Sequence, residues 1–187
     1  MISTISKKIV QMLIASSNIE PELGQEDEYI YGLECFFNTA ITLFMLFVWG
    51  LLTNTLLETC CWIVAFSTLR HHSGGLHAPT QLSCITSSCL LGISNWLVIN
   101  LISYQIEDAC IVCILCITIC FLYAPTDTSK YQLTESMQKR EKFYSISILI
   151  LSFVIALMFK NSISISILYS NVCVCILLLI KIRKVKS

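Results

Sequence analysis

Six apolar runs dominate the chain, at about 31–52, 55–69, 83–104, 108–123, 143–160 and 163–180, with short polar links between them. A helix that crosses a bilayer needs roughly 20 predominantly apolar residues. The run at 55–69 has barely fifteen and contains Glu58, so it must tilt, thin the bilayer or be partly re-entrant. Ahead of these runs, residues 1–17 follow a different pattern. Ile2, Ile5, Ile9, Met12 and Leu13 fall within one arc of a helix with Lys7 and Lys8 at its margin, which predicts an amphipathic helix lying in the membrane interface. The stretch 18–30 holds Pro21, Gly24 and five acids (Glu20, Glu22, Glu26, Asp27 and Glu28) and reads as a solvated connector. The expectation is one all-α, polytopic membrane domain over 1–187, with about six transmembrane helices and a basic tail at 181–187.

Composition strengthens this reading. The chain is 56% hydrophobic and 13% charged, with a mean hydropathy of +0.76, whereas soluble domains carry roughly a quarter charged residues. Twelve basic and twelve acidic residues cancel, so the charge balance offers nothing to nucleic acid. Lys7 and Lys8 precede an apolar stretch, but acids follow it rather than a cleavage site, so no signal peptide is read. Eleven cysteines would suggest a disulfide scaffold in a secreted domain. Most of them lie inside apolar runs, and Cys110, Cys113, Cys116 and Cys120 recur at helical spacing on one face, so they are expected to be buried thiols acting as small hydrophobes.

The basic residues set an orientation, because cytoplasmic flanks collect Lys and Arg. With the N-terminus inside, eleven of the twelve fall on the cytoplasmic side and Lys160 alone falls outside. Both termini are then expected in the cytoplasm, along with the links 70–84 and 124–142. The second of these links contains Lys130, Lys139, Arg140 and Lys142, either a positive-inside anchor or a docking surface for an acidic peptide.

Candidate chemistry is concentrated in RHHSGGLHAPTQLSC, from Arg70 to Cys84, which contains every histidine of the chain. Pro79 suits the first turn of a helix, so the third span should begin near Ala78 to Thr80 and place Cys84 just over one turn inside. Were His77 and Cys84 on one straight helix, the rise would separate them by about 10.5 Å. A histidine on the preceding loop, turned back by Gly74-Gly75, can instead approach the sulfur as a Cys–His nucleophile and base require. The helix N-terminus would favour a thiolate. N–H groups at Gly74-Gly75 or the helix start could hold an oxyanion, and Arg70 could bind a substrate carboxylate or brace the loop. A metal site from His71, His72, His77 and Cys84 is the competing chemistry, disfavoured because adjacent histidines do not easily reach one tetrahedral ion. A polar headgroup loop with one more buried thiol is the reading without chemistry.

The same loop resembles the accessory gene regulator protein B family, integral-membrane cysteine endopeptidases of Gram-positive bacteria that mature quorum-sensing peptides. The shared pattern is met by Arg70, Gly74, Gly75, His77, Ala78 and Cys84, and the likeness extends to chain length, six spans and the Tyr123-Ala124-Pro125 that opens the link before a basic stretch. The resemblance implies that His77 and Cys84 are the catalytic pair and that Arg70 and Gly75 are needed beside them, with Gly74 completing the turn. It gives no role to His71 or His72 and calls for no cofactor. The implied substrate is a propeptide with an amphipathic N-terminal helix and an acidic C-terminal tail. Cleavage before the tail would leave an acyl-enzyme thioester, which an internal cysteine or serine closes into a thiolactone or lactone. The tail would give Lys130, Lys139, Arg140 and Lys142 a ligand. The implied setting is the bacterial plasma membrane, as a homodimer. Two other classes fit six spans with embedded polar residues such as Glu34, Asn38 and Asn95: a small transporter or peptide exporter, and a membrane subunit whose histidine loop binds metal.

Overall fold

The computed structural model describes residues 2–17, 25–75, 80–126 and 134–186. Among these, seven helices follow one another and no strand occurs: α1 (Ile2–Ser17), α2 (Gln25–Leu52), α3 (Leu56–Ser73), α4 (Gln81–Leu101), α5 (Ile106–Tyr123), α6 (Glu135–Phe159) and α7 (Ser162–Lys186). Five of them, α2 and α4 to α7, are long and apolar enough to cross a membrane. The chain is an all-α, multi-pass membrane protein.

Helices run past the apolar segments at several ends. Gln25 to Ile30, expected in the connector, form the first turns of α2, where Glu26, Asp27 and Glu28 meet the positive end of the helix dipole. The basic tail is helical to Lys186. Lys139, Arg140 and Lys142 stand on the first turns of α6 rather than in a loop. Backbone hydrogen bonding continues through polar residues once an apolar run has nucleated the helix, so hydropathy marks the spans better than their caps.

The short run with Glu58 becomes α3, and α3 is not among the five candidate spans. Its buried residues Thr59, Trp62, Phe66, Leu69 and Ser73 advance by three or four and form one face. That face lies against Leu46 of α2, Cys116 and Cys120 of α5, Leu149 of α6 and Val174 and Leu178 of α7 in a single core. Two thirds of the apolar window of α7 is buried as well, against about a tenth to a fifth for the other four spans. So α3 and α7 form the centre, and α2, α4, α5 and α6 present Phe44, Phe47, Leu90, Ile114, Phe121, Leu151 and Met158 outward. An apolar belt of this extent is a lipid-facing surface.

Small and polar residues bring the helices together, as lipid provides no hydrophobic drive between them. A Cβ on Gly92 of α4 would collide with the Leu46 side chain, so that glycine lets α2 and α4 close. Asn95 donates to Ser166 Oγ at 3.1 Å, and Ser94 shares a 2.7 Å hydrogen bond with the Tyr169 hydroxyl, tying α4 to α7. Asn95 therefore serves as glue between helices. Cys116 and Cys120 are buried beside Cys173 and Cys175, whereas Cys110 is exposed and Cys113 half-buried. The four α5 cysteines thus do not share one buried face, because steps of three, three and four drift around the helix.

Candidate functional site

Successive antiparallel helices bring the end of α3, the start of α4, the end of α5, the start of α6 and the end of α7 to one end of the bundle. Arg70, His71 and His72 occupy the last turn of α3 rather than a loop. Gly74 ends that helix with φ 75°, its N–H donating to the Arg70 carbonyl at 3.1 Å. The Gly74 N–H is thereby spent on the cap, which removes it as an oxyanion donor. A side chain here would also collide, since a Cβ would lie 2.6 Å from Thr126 Oγ1 and 2.9 Å from the Thr126 carbonyl oxygen. Gly75 is buried, with φ 148°.

The close approach at Gly74 is a stitch between two links. The Thr126 N–H donates to the Ser73 carbonyl at 3.2 Å. Lys181 Nζ, from the end of α7, donates to Thr126 Oγ1 at 3.0 Å. His72 Nδ1 lies 2.7 Å from Glu141 Oε2, and Arg140 Nη2 lies 3.2 Å from Glu141 Oε1. The hydrogen bond with His72, helped by Arg140, holds the Glu141 carboxyl below its ordinary value against the opposing effect of burial. Thr126, Glu141 and Lys181 were not candidates on sequence. One signal was present for Glu141, an acid standing alone among Lys139, Arg140 and Lys142.

Helix α4 begins at Gln81 with Thr80 as its cap, three residues after Ala78, the earliest start expected from Pro79. Thr80 Oγ1 accepts from the Ser83 N–H at 3.3 Å, and Ser83 Oγ accepts from the Thr80 N–H at 3.4 Å, a reciprocal capping box. Cys84 follows as the fourth helical residue, its N–H donating to the Thr80 carbonyl at 3.0 Å. With the Ser83 and Cys84 N–H groups engaged, Gln81 and Leu82 are the residues whose first-turn N–H groups lack an intrahelical acceptor.

The Cys84 thiol is half-buried and faces a cavity of about 410 Å³ between α2, α3 and α4. Arg70, His71, Gly74 and Ser88 line the same cavity, and Asn38, Leu46, Trp62 and Phe66 wall its inner part. Arg70 lies just beyond the apolar part of α3. Its guanidinium sits 5.5 Å from the centre of the Phe66 ring. Burial draws its pKa below the ordinary arginine value, and the nearby Cys84 sulfur, when ionised, opposes that shift. Arg70 and Cys84 thus meet across the cavity mouth from different helices.

The other sequence candidates divide. His71 and His72 have rings 5.0 Å apart at 85°, one on the cavity and the other on Glu141. No group of three or more potential metal ligands converges among the described residues. Lys139 and Arg140 are exposed on α6, and Lys142 Nζ lies 4.9 Å from the Phe121 ring centre. His77, Ala78 and Lys130 lie outside the described residues, as does any distance from His77 to Cys84.

Comparison with known proteins agrees with the family resemblance. An accessory gene regulator protein B of Staphylococcus aureus (strain Newman) is 28% identical over 119 residues, 64% of this chain and 63% of that protein. An AgrB-like protein of Clostridium perfringens (strain SM101 / Type A) is 27% identical over 157 residues, covering 80% of this chain and 72% of the relative. One from Listeria monocytogenes serovar 1/2a is 24% identical over 143 residues, covering 69% and 63%. The chain thus spans just under two thirds of the length of the staphylococcal relative. No solved structure matches it. The family profile for Accessory gene regulator B matches residues 6–180, nearly the whole chain, and the protein belongs to that family.

Proposed function

We propose that this protein is a membrane-embedded cysteine endopeptidase that trims a quorum-sensing propeptide and readies it for cyclisation. The observation that carries the reading is the placement of Cys84, one turn inside a capped helix, on a cavity it shares with the half-buried cation Arg70. Helix N-terminus and guanidinium both present positive potential to that sulfur, the setting of a nucleophilic rather than a merely buried thiol.

His77 takes the proton from Cys84, and the sulfur adds to the carbonyl carbon before the acidic tail. The tetrahedral oxyanion is held by the free N–H groups at the start of α4. Collapse breaks the C–N bond, His77 returns its proton to the departing amine, and a thioester remains on Cys84. An internal cysteine or serine of the peptide attacks that thioester, closes the ring and regenerates the thiol. Exchange from thioester to thiol is nearly level in energy, so activation survives until closure. Ring closure outruns hydrolysis through the high effective concentration of the internal nucleophile and a site at the dry edge of the membrane.

The basic residues orient the chain with both termini and the Arg70–Cys84 segment in the bacterial cytoplasm. Lys139 and Arg140 on α6, with Lys130 and Lys142, then share a compartment with the departing acidic tail and bind it. A homodimer belongs to the same reading.

Intact mass spectrometry of the lipid-reconstituted protein with an acidic-tailed precursor peptide tests the chemistry. Wild type should gain the mass of the tail-less peptide, released by hydroxylamine, and Cys84→Ala should gain nothing. A folded sample that forms neither adduct nor free tail with any such peptide overturns the proposal. Replacing Lys130, Lys139, Arg140 and Lys142 together with glutamine should slow cleavage and flatten its salt dependence; an unchanged rate and salt profile would remove their assignment to the tail.

A further inference from the structure

The cavity behind Cys84 contains polar groups that the chemistry at its mouth does not use. Trp62 is 2% exposed and stacks on Phe66 with ring centres 4.7 Å apart, yet its indole N–H has no hydrogen-bond partner among the described residues. Asn38, on the facing wall from α2, has a buried side-chain carbonyl oxygen in the same condition. A buried donor and a buried acceptor without partners each cost free energy, and the cost rises in a membrane, where no bulk water compensates. Both residues line a single cavity with Leu43, Leu46 and Ile63, and the hydroxyls of Thr39, Thr42 and Ser67 on the same lining already donate to carbonyls of their own helices.

That pairing complements one chemical unit. A peptide group offers one C=O and one N–H, and an extended segment offers them on opposite edges. From Arg70 to Trp62 is eight residues along α3, about 12 Å of helix, the length of about three or four extended peptide residues. The charge distribution decides which side of the scissile bond enters. Arg70 and His71 are at the mouth and no acid or base lines the inner wall, so an acidic tail stays outside while the uncharged acyl segment goes in.

We infer that the cavity is the acyl-segment site, where Trp62 Nε1 donates to a backbone carbonyl and Asn38 Oδ1 accepts from a backbone N–H of the three or four residues before the scissile bond. The inference rests on the peptidase reading for the identity of the bond, but the site itself is a peptide-binding site. Trp62 and Asn38 are positioning residues: they hold the acyl chain in register while Cys84 attacks, and they keep it seated as the thioester after the tail has left.

Photocrosslinking tests occupancy without catalysis. The Cys84→Ala protein in lipid nanodiscs is irradiated with precursor peptides bearing a diazirine-modified leucine two residues before the scissile bond or within the tail. The first should label the α2 segment 38–46 or the α3 segment 62–66, and the second should not. Labelling elsewhere, or equal labelling of these segments by the tail probe, overturns the site. Backbone readout is then tested with Cys84 intact. Asn38→Leu should raise the KM for acylation about two- to tenfold, the usual effect of losing one hydrogen bond, with kcat changed less. A peptide with a backbone ester in place of the contacted amide should suffer the same loss on wild type and no further loss on Asn38→Leu. Additive losses at every ester position would remove Asn38 from the site. Trp62→Phe should act similarly, with its melting temperature showing that the core is intact. Crosslinks at the expected segments with no thioester on Cys84 would overturn the peptidase reading and leave the peptide site standing. A thioester with crosslinks elsewhere would do the reverse.

Discussion

Helix α3 has an ionisable residue near each end, and the two ends are built differently. At its start, Glu58 accepts a 2.7 Å hydrogen bond from Ser162 Oγ at the start of α7. That contact joins the two central helices at the end of the bundle away from Cys84. At its finish, Arg70 is drawn into a cavity wall beside Cys84 and a phenyl ring. Its surroundings are stitched by Ser73, Thr126 and Lys181 on one side and by His72 and Glu141 on the other. A polar group that only joins helices needs one partner and no space. A polar group that acts on a ligand needs space, and the elements around it must be held by other contacts. Charge alone does not distinguish the two half-buried side chains, whereas only the Arg70 end has a cavity beside it among the described residues.

The sharpest way to break this comparison is to neutralise both charges in turn. Arg70→Gln should slow acylation of Cys84 by about a hundredfold, the scale of losing one well-placed donor at a reacting centre. Glu58→Gln keeps the acceptor for Ser162 and should change the acylation rate less than about twofold, with stability altered by no more than about 0.5 kcal/mol. Single-turnover acylation and melting temperature, measured on both variants in the same lipid, decide it. Equal losses would mean that the two ends of α3 are equivalent structural contacts.

A second test probes the stitch instead of the cavity. Gly74→Ala places a Cβ where Thr126 Oγ1 and the Thr126 carbonyl oxygen already are, at a positive φ that alanine disfavours. Left-handed strain of this kind costs about 1–3 kcal/mol, and the collision adds to it. The expected result is a lowered melting temperature together with loss of acylation. Relieving only the Oγ1 contact with Thr126→Ala should restore part of the stability, because the carbonyl contact and the backbone strain persist. A Gly74→Ala protein as stable as wild type would show that this approach is not tight in the folded protein.

Much of the architecture was legible in the sequence because hydropathy reports directly on lipid exposure. The apolar runs became helices α2 to α7, and the resemblance of the Arg70–Cys84 segment agrees with the family match over residues 6–180. The start of α4 was legible within three residues, since Thr80 and Ser83 cap it locally. The contacts that shape the site were not. Ser73 to Thr126, Thr126 to Lys181 and His72 to Glu141 each join residues more than 50 apart in the chain, and no local spacing encodes them. The same holds for Trp62 and Asn38. Both sit in apolar runs where a tryptophan reads as bulk and an asparagine as an exception, and only the packing of α2 on α3 puts them on one cavity. The central position of α3 was not read from the sequence, which offered only tilt, bilayer thinning or a re-entrant path for so short a run. A run too short and polar to face lipid on all sides must be covered by protein, which is the role α7 performs.

The smallest expected effect concerns the His72–Glu141 pair, which lies before the apolar part of α6. His72 holds the Glu141 carboxyl below its ordinary pKa. A carboxyl depressed by folding stabilises the folded state at pH values above the unfolded carboxylate range, and that contribution disappears as pH falls through the lowered folded value. Glu141→Gln should therefore lower the melting temperature at pH 7, and the gap to wild type should narrow as pH drops below about 4.3, the ordinary glutamate value. Both side chains are partly exposed, at 27% and 18%, so solvent screening limits the effect to about 1 kcal/mol or less. Acylation at pH 7 should change only slightly, since Glu141 touches His72 and not the cavity. A gap that widens on acidification would mean that Glu141 contributes through its neutral form, and the stitch between α3 and α6 would then need a different physical account from the one at Thr126.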